Sequence, residues 1–219
     1  SAKTASAKSS SDAPGRGTRA GGVRQLSAPV GIAGAVANSP HSQFSEAIRS
    51  IKMAADLNGF DSSKKVLGLT SSLPNEGKST ISEALARTAA QSGLRTLLVD
   101  GDLRNPSLSR SLTPSAKEGL IDFILGRKAL ADLVWVERET KLHFLPSLVP
   151  SNFANSGDIL ASPQMEKAFQ QFRERYDRIF LDLSPLAPVV DVRATGRLAD
   201  SYVLVVEWSR TKIDVVDRV

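Results

Sequence analysis

Between residues 71 and 80 the chain reads SSLPNEGKST, a stretch whose residue types and spacing suit phosphate chemistry. Gly77, Lys78 and Ser79 match the end of the pattern G-x-x-x-x-G-K-[ST], with Ser72 at its first glycine. Such a loop turns successive backbone N–H groups around a phosphate at the start of a helix, whose dipole favours anions. Gly77 supplies a permissive backbone, and Lys78 a point charge for the β- and γ-phosphates. The Ser79 hydroxyl suits Mg2+, and Thr80 is placed for the α-phosphate. Ser72 is small enough to make the turn. The expected nucleotide-binding stretch is therefore Pro74, Asn75, Glu76, Gly77, Lys78, Ser79 and Thr80.

A second set of chemically capable residues is acidic. Asp100 and Asp102 close the run TLLVDGD, and Asp182 closes IFLD. A carboxylate at a strand end can hold a cation, directly or through water, or accept a proton from an attacking hydroxyl. Any single one could instead cap the next helix.

The elements around these residues alternate between strands and helices. KKVLGLT, RTLLVD, LHFLPSL, DRIFLDLSP and SYVLVVEWS read as buried strands. Between them lie a helix from about Lys78 to Ser92, stopped by Gly93, the short GLIDFILG, and SPQMEKAFQQFRERY, opened by Ser162 and Pro163. VRATGRLAD reads as helical. Upstream, HSQFSEAIRSIKMAADL places Phe44, Ile48, Ile51 and Ala55 on one stripe, with Ser42 or Ser45 as cap. Near the end, TKIDVVDRV reads as a helix capped by Thr211, with no stop signal, so the chain reads as a segment of something longer. Continuous apolar strands alternating with helices predict an α/β fold. Its sheet is mostly parallel with helices on both faces, and all three carboxylates lie along the phosphate-loop edge.

Composition narrows the function classes. The 219 residues hold no cysteine, which excludes disulfides, thiolate catalysis and cysteine-based zinc sites. His41 and His143 give no metal-ligand spacing. No apolar run is long enough to span a bilayer. Residues 1–40 hold five basic side chains against Asp12 and are rich in Ser, Ala and Gly. They read as a disordered basic linker, which could also tether the chain to anionic lipid. The domain proper is expected over residues 41–219. Nucleic-acid binding is not expected, because the basic residues have no aromatic interleaving.

GLTSSLPNEGKST, TLLVDGDLRNPSL and RIFLDLSPLAPVVDVRATGRLADSYVLVV together resemble the Walker A, A′ and B motifs of the bacterial tyrosine kinases. These are P-loop domains of polysaccharide co-polymerases, which regulate capsule and exopolysaccharide export. The resemblance runs over residues 41–219, and the D-x-D-x-R of residues 100–104 is its most specific part. It implies a P-loop NTPase-type fold, ATP and Mg2+, and a position on the cytoplasmic side of the inner membrane. It implies Asp102 as a metal ligand, Asp182 as a second, water-mediated one, and Asp100 as proton acceptor beside Arg104. Lys78, Asp100 and Asp102 form the implied catalytic set.

EAIRSIK places Glu46, Arg49 and Lys52 on one helical stripe. It is similar to the family's E-x-x-R-x-x-R oligomer helix, with lysine replacing the last arginine; an exposed charge row is the plain alternative. Implied partners are further copies of the chain, a membrane-spanning co-polymerase segment in cis or in trans, and a cognate phosphatase. The chain departs from the family in LSPL after the third motif, and in having only Tyr176 and Tyr202, with no tyrosine cluster. Two functional readings follow. One is a protein-tyrosine autokinase; the other is a nucleotide-dependent assembly or regulatory ATPase of the same machinery. The DNA-partitioning and division-positioning ATPases fit less well, since TSSLPNE lacks their second lysine.

Overall fold

The computed structural model describes residues 24–26, 39, 41–57, 63–148, 156–187 and 190–219. Most of the expected linker over residues 1–40 lies outside the described residues. One six-stranded sheet organises the rest, in the order β3-β4-β2-β5-β1-β6. Its strands are β1 (Val66–Ser71), β2 (Thr96–Asp100), β3 (Trp135–Val136), β4 (His143–Leu145), β5 (Arg178–Asp182) and β6 (Ser201–Val205). All pairings are parallel except β3 with β4.

The helices are α1 (Gln43–Leu57), α2 (Lys78–Gln91), α3 (Ser107–Leu112), α4 (Leu120–Ile124), α5 (Leu130–Leu133), α6 (Ser156–Leu160), α7 (Pro163–Arg175) and α8 (Ile213–Val216). A 3-10 helix spans Val190–Arg197. The strand period of two divides the apolar residues between two layers. Leu97, Val99, Ile179 and Leu181 join Met165, Phe169 and Phe172 of α7 on one face. Leu98, Phe144 and Phe180 join Ala84, Leu85, Ala86 and Ala89 of α2, and Ile48 of α1, on the other. The continuous apolar runs thus fill both faces of a mostly parallel sheet, as expected.

Caps follow the sequence signals in three places. Ser42 Oγ accepts from Ser45 N at 3.2 Å. Ser162 Oγ accepts from Met165 N at 3.2 Å. Gly93, at φ 84°, follows the last turn of α2. Three features differ from expectation. The two-residue β3 is too short to show a period, and its antiparallel pairing comes from a tight hairpin with Lys141 at φ 63°. β6 is an edge strand, so Tyr202 and Leu204 are exposed despite the apolar run. The cap of α8 is Lys212, because the Thr211 hydroxyl is used elsewhere.

One buried charge cluster holds the middle of α2. Arg87, fully buried, donates from Nε to Glu137 Oε1 at 2.9 Å and from Nη1 to Glu83 Oε1. Thr140 Oγ1 completes it by donating to Glu137. Such a cluster is tolerable only when paired, because each charge has lost its water.

Candidate functional site

β1 delivers the chain into the phosphate loop, which takes two left-handed residues, Asn75 (φ 67°) and Gly77 (φ 88°). Glycine adopts this conformation freely, and asparagine more readily than most residues. Gly77 is the N-cap of α2 and offers no side-chain cap, so the first-turn N–H groups stay available to an anion. Ser72, at the missing glycine, is fully buried, and its hydroxyl has no partner among the described residues.

Glu76 has a function that the motif does not show. Its Oε2 accepts from Leu73 N at 2.6 Å, across the loop. Its Oε1 accepts from Glu207 N at 3.2 Å and from Thr211 Oγ1. One carboxylate therefore closes the loop and ties it to the segment after β6. Burial opposes its charge, but these donors outweigh burial and hold its pKa below the usual carboxylate value.

The three aspartates converge through strand register. β2 and β5 are parallel neighbours, with Asp100 opposite Asp182. Gly101 N donates to Asp182 O at 2.7 Å. A Cβ on Gly101 would fall 2.6 Å from Leu181 Cδ1 and 2.9 Å from Asp182 O, so glycine permits this close approach. Lys78 Nζ lies 3.0 Å from Asp102 Oδ2 and 3.4 Å from Asp182 Oδ2. Ser79 Oγ donates to Asp182 Oδ2 at 2.7 Å, and Ser82 Oγ to Oδ1 at 2.8 Å. Ser184 Oγ donates to Asp102 Oδ1 at 2.7 Å.

Burial pushes the Lys78 ammonium down, but Asp182 and Asp102 outweigh it and raise its pKa, so the lysine is charged. Burial also raises Asp182, against the pull of Lys78, Ser79 and Ser82. Burial, with Asp182 adding to it, pushes Asp100 up to about 7.

A cavity of about 440 Å³ opens beside this cluster. Pro74, Asn75, Gly77, Lys78, Ser79, Thr80 and Asp102 line it, while Glu76, Asp100 and Asp182 do not. Asp100 lies behind the cavity wall rather than in it. As the last residue of β2 it is fully buried, and its Oδ2 is taken by Ser109 N at 2.8 Å and Ser109 Oγ at 2.7 Å. Asp102, two residues further along the loop, reaches the cavity instead. Arg104 and Asn105 also line it.

Ser79 Oγ, Asp102 and Asp182 offer an all-oxygen donor set, which fits Mg2+. Among the described residues no cluster of three or more His, Cys, Asp or Glu could hold a metal. Mg2+ is commonly held through one or two carboxylates together with substrate phosphate. Glu46, Arg49 and Lys52 lie apart on α1. Arg49 Nη2 pairs with Glu46 Oε1 at 2.5 Å and Lys52 Nζ with Asp56 Oδ2 at 2.8 Å, so the stripe is internally paired. Sequence reasoning missed Ser82, Ser109 and Ser184, which orient the aspartates. Their only signal is a small hydroxyl just beyond a strand or one turn into a helix.

A mostly parallel sheet with Gly-Lys-Ser-Thr after its first strand, and acidic residues ending two neighbouring strands, defines a P-loop NTPase domain. Residues 75–216 match the AAA domain family. The succinoglycan biosynthesis transport protein ExoP of Rhizobium meliloti (strain 1021) is 40% identical over 177 residues, 80% of this chain and 22% of ExoP. The tyrosine-protein kinase YwqD of Bacillus subtilis (strain 168) is 32% identical over 174 residues, 79% of this chain and 72% of that protein. Among solved structures, the kinase domain of the Escherichia coli tyrosine kinase ETK superposes with a TM-score of 0.75 at 25% identity, over 84% of this chain and 71% of that one. The chain belongs to the bacterial tyrosine kinase family. It spans about a fifth of the length of ExoP.

Proposed function

We propose that this chain is the ATP- and Mg2+-dependent protein-tyrosine kinase domain of an exopolysaccharide or capsule export system. The observation that carries the reading is the convergence of Lys78, Ser79 and Asp102 at one cavity, with Asp182 bonded to Lys78 and Ser79 behind them. Transfer of a γ-phosphoryl group requires positioning and charge neutralisation more than covalent chemistry. The loop from Pro74 to Thr80 holds the phosphates through its backbone, and Lys78 exchanges its aspartates for the β/γ-phosphate oxygens. Ser79 and Asp102 would hold Mg2+, with Asp182 behind them; the bound ion would neutralise the charge developing between the phosphates. Asp100 serves as the proton acceptor. Its carboxyl, raised to about 7 by burial, suits a phenolic proton, and the role requires that Ser109 N and Oγ give up its Oδ2. The phenolic oxygen–phosphorus bond forms as the bond to the ADP oxygen breaks.

Neither tyrosine of the chain lines the phosphate-loop cavity. Tyr176 Oη lies 2.9 Å from His143 Nδ1, and Tyr202 Oη 2.9 Å from Thr195 Oγ1. In this reading the acceptor is a tyrosine brought to the cavity from elsewhere. Homo-oligomers through Glu46, Arg49 and Lys52, a membrane-spanning co-polymerase segment in cis or in trans, a cognate phosphatase and a place at the inner membrane complete the reading. The tied tyrosines also favour a second reading, a nucleotide-dependent assembly module that does not phosphorylate itself.

The test is incubation with Mg2+, γ-labelled ATP and a glutamate–tyrosine copolymer, followed by phosphoamino-acid analysis. Phosphotyrosine with the parent, and none with Lys78→Met or Asp100→Asn, is expected. ATP binding without phosphotyrosine would replace the kinase with the assembly module.

A further inference from the structure

A second cavity lies away from the phosphate-loop site. It measures about 1240 Å³ and is built at the opposite end of the strands, where β2 and β4 begin and α2 and α7 end. Its charged lining is strongly basic, with Arg24, Arg95, Lys128, Lys141 and Arg175 against Asp132. Glu118 pairs with both Arg24 (3.5 Å) and Lys128 (3.3 Å), and Asp177 with Arg95 (2.6 Å). Lys141 and Arg175 have no carboxylate partner among the described residues. Glu137, just behind Thr140, is neutralised by Arg87.

Three further observations point to a ligand. Lys141 occupies a left-handed position in the β3–β4 hairpin, φ 63°, where glycine or asparagine would be less strained. A strained lysine at the mouth of a basic cavity points to function in its side chain. His143 and Tyr176 face each other across the wall, Nδ1 to Oη at 2.9 Å, and burial pushes the imidazole down, so it stays a neutral hydrogen-bonding group. Leu94, Leu130 and Val134 supply an apolar wall. The wall nearest the edge is closed by the N-terminal segment itself. Leu26 N donates to Val136 O at 3.2 Å and Val136 N to Arg24 O at 2.8 Å, which adds residues 24–26 to β3 in parallel.

We infer that this cavity binds a phosphorylated small molecule, its phosphates held by Lys141 and Arg175 and its uncharged body lying against His143, Tyr176 and the apolar wall. Lysine and arginine without carboxylate partners are the usual phosphate holders. Concavity, a mixed polar and apolar lining and several cations on one cavity wall describe a small-molecule site rather than a flat membrane-facing patch. The site is separate from the phosphate loop, and α2 runs between the two, from Lys78 to Ala90.

The experiment is calorimetric titration of the whole chain carrying Lys78→Met, so that the phosphate loop does not contribute. Glucose 1,6-bisphosphate is the probe, and vesicles with phosphatidylserine are the control. Binding of the sugar phosphate that weakens more than tenfold in Lys141→Glu/Arg175→Glu is expected, with ATP binding of the Lys78 protein unchanged by that pair. Lys141→Gly separates binding from folding. It relieves the left-handed strain, so its melting temperature should hold or rise while affinity still falls. No binding, or binding indifferent to all three substitutions, overturns the inference. So does vesicle binding that depends on Lys141 and Arg175 when the sugar phosphate does not bind.

Discussion

One helix, α2, carries two buried charge clusters of opposite character. At its start, Lys78 stands between two aspartates beside an open cavity, and its contacts are single hydrogen bonds to a flexible ammonium. Two turns later, Arg87 is locked between Glu83 and Glu137 and fully enclosed. The ammonium is a point charge that can change partners, whereas the guanidinium is a planar fork fixed by its geometry. The same chemistry of buried ion pairs therefore serves exchange at one end and fixation in the middle. The difference lies in access to a cavity and in the shape of the cation.

The largest effect should fall on the exchanging cluster. Lys78→Met should lower phosphotransfer by on the order of 10³-fold or more, read as phosphotyrosine formed per minute, while circular dichroism keeps its native shape. Arg87→Met should do the reverse. Removing it strands two buried carboxylates and should cost about 3–5 kcal/mol in urea unfolding. Should Arg87→Met unfold at the parental urea concentration, the contrast between the clusters collapses.

Gly101→Ala tests whether the aspartates depend on the close approach of β2 and β5. Its new methyl meets the Asp182 carbonyl, which cannot step aside, so a loss of about 1–3 kcal/mol is expected, with weaker nucleotide binding. Thr211→Val sharpens the picture further, since Thr211 does not line the phosphate-loop cavity. Loss of its bond to Glu76 should raise the KM for ATP several-fold, roughly 1 kcal/mol, and leave kcat nearly alone.

The smallest effect belongs to a charge pair open to solvent. Arg95 and Asp177 form an exposed ion pair, and hydrogen bonds from Arg95 hold Asp177 down to about 2. A depressed carboxylate stabilises the fold above its unfolded value near 3.8 and loses that contribution as pH falls toward 2. Solvent screening limits Asp177→Asn to about 0.5 kcal/mol at pH 7, and the difference from the parent should shrink as pH falls through about 2 and vanish below it. A constant difference across that range would show that the pair acts through packing rather than charge.

The sequence made β1, β2 and β5 legible because they are continuous apolar runs ending at turn or acidic residues, and the phosphate loop because its spacing is chemically demanding. Neighbouring strands then placed Asp100, Asp102 and Asp182 together without further information. What remained hidden depends on partners distant in sequence. Nothing in ALARTAA marks Arg87 as buried, since Glu137 lies fifty residues away and only the fold brings them together. The apolar run of β6 resembles that of β1, and only strand order makes it an edge. Asp100 and Asp102 look alike in DGD, yet two residues separate a carboxylate locked under Ser109 from one lining the cavity.

The tie made by Glu76 has a mechanical meaning. A phosphate loop with no lateral attachment could change shape without disturbing its surroundings. Here the loop shares one carboxylate with Glu207 and Thr211, immediately ahead of α8. Any rearrangement of the loop must stretch those bonds or carry with it the segment just ahead of α8.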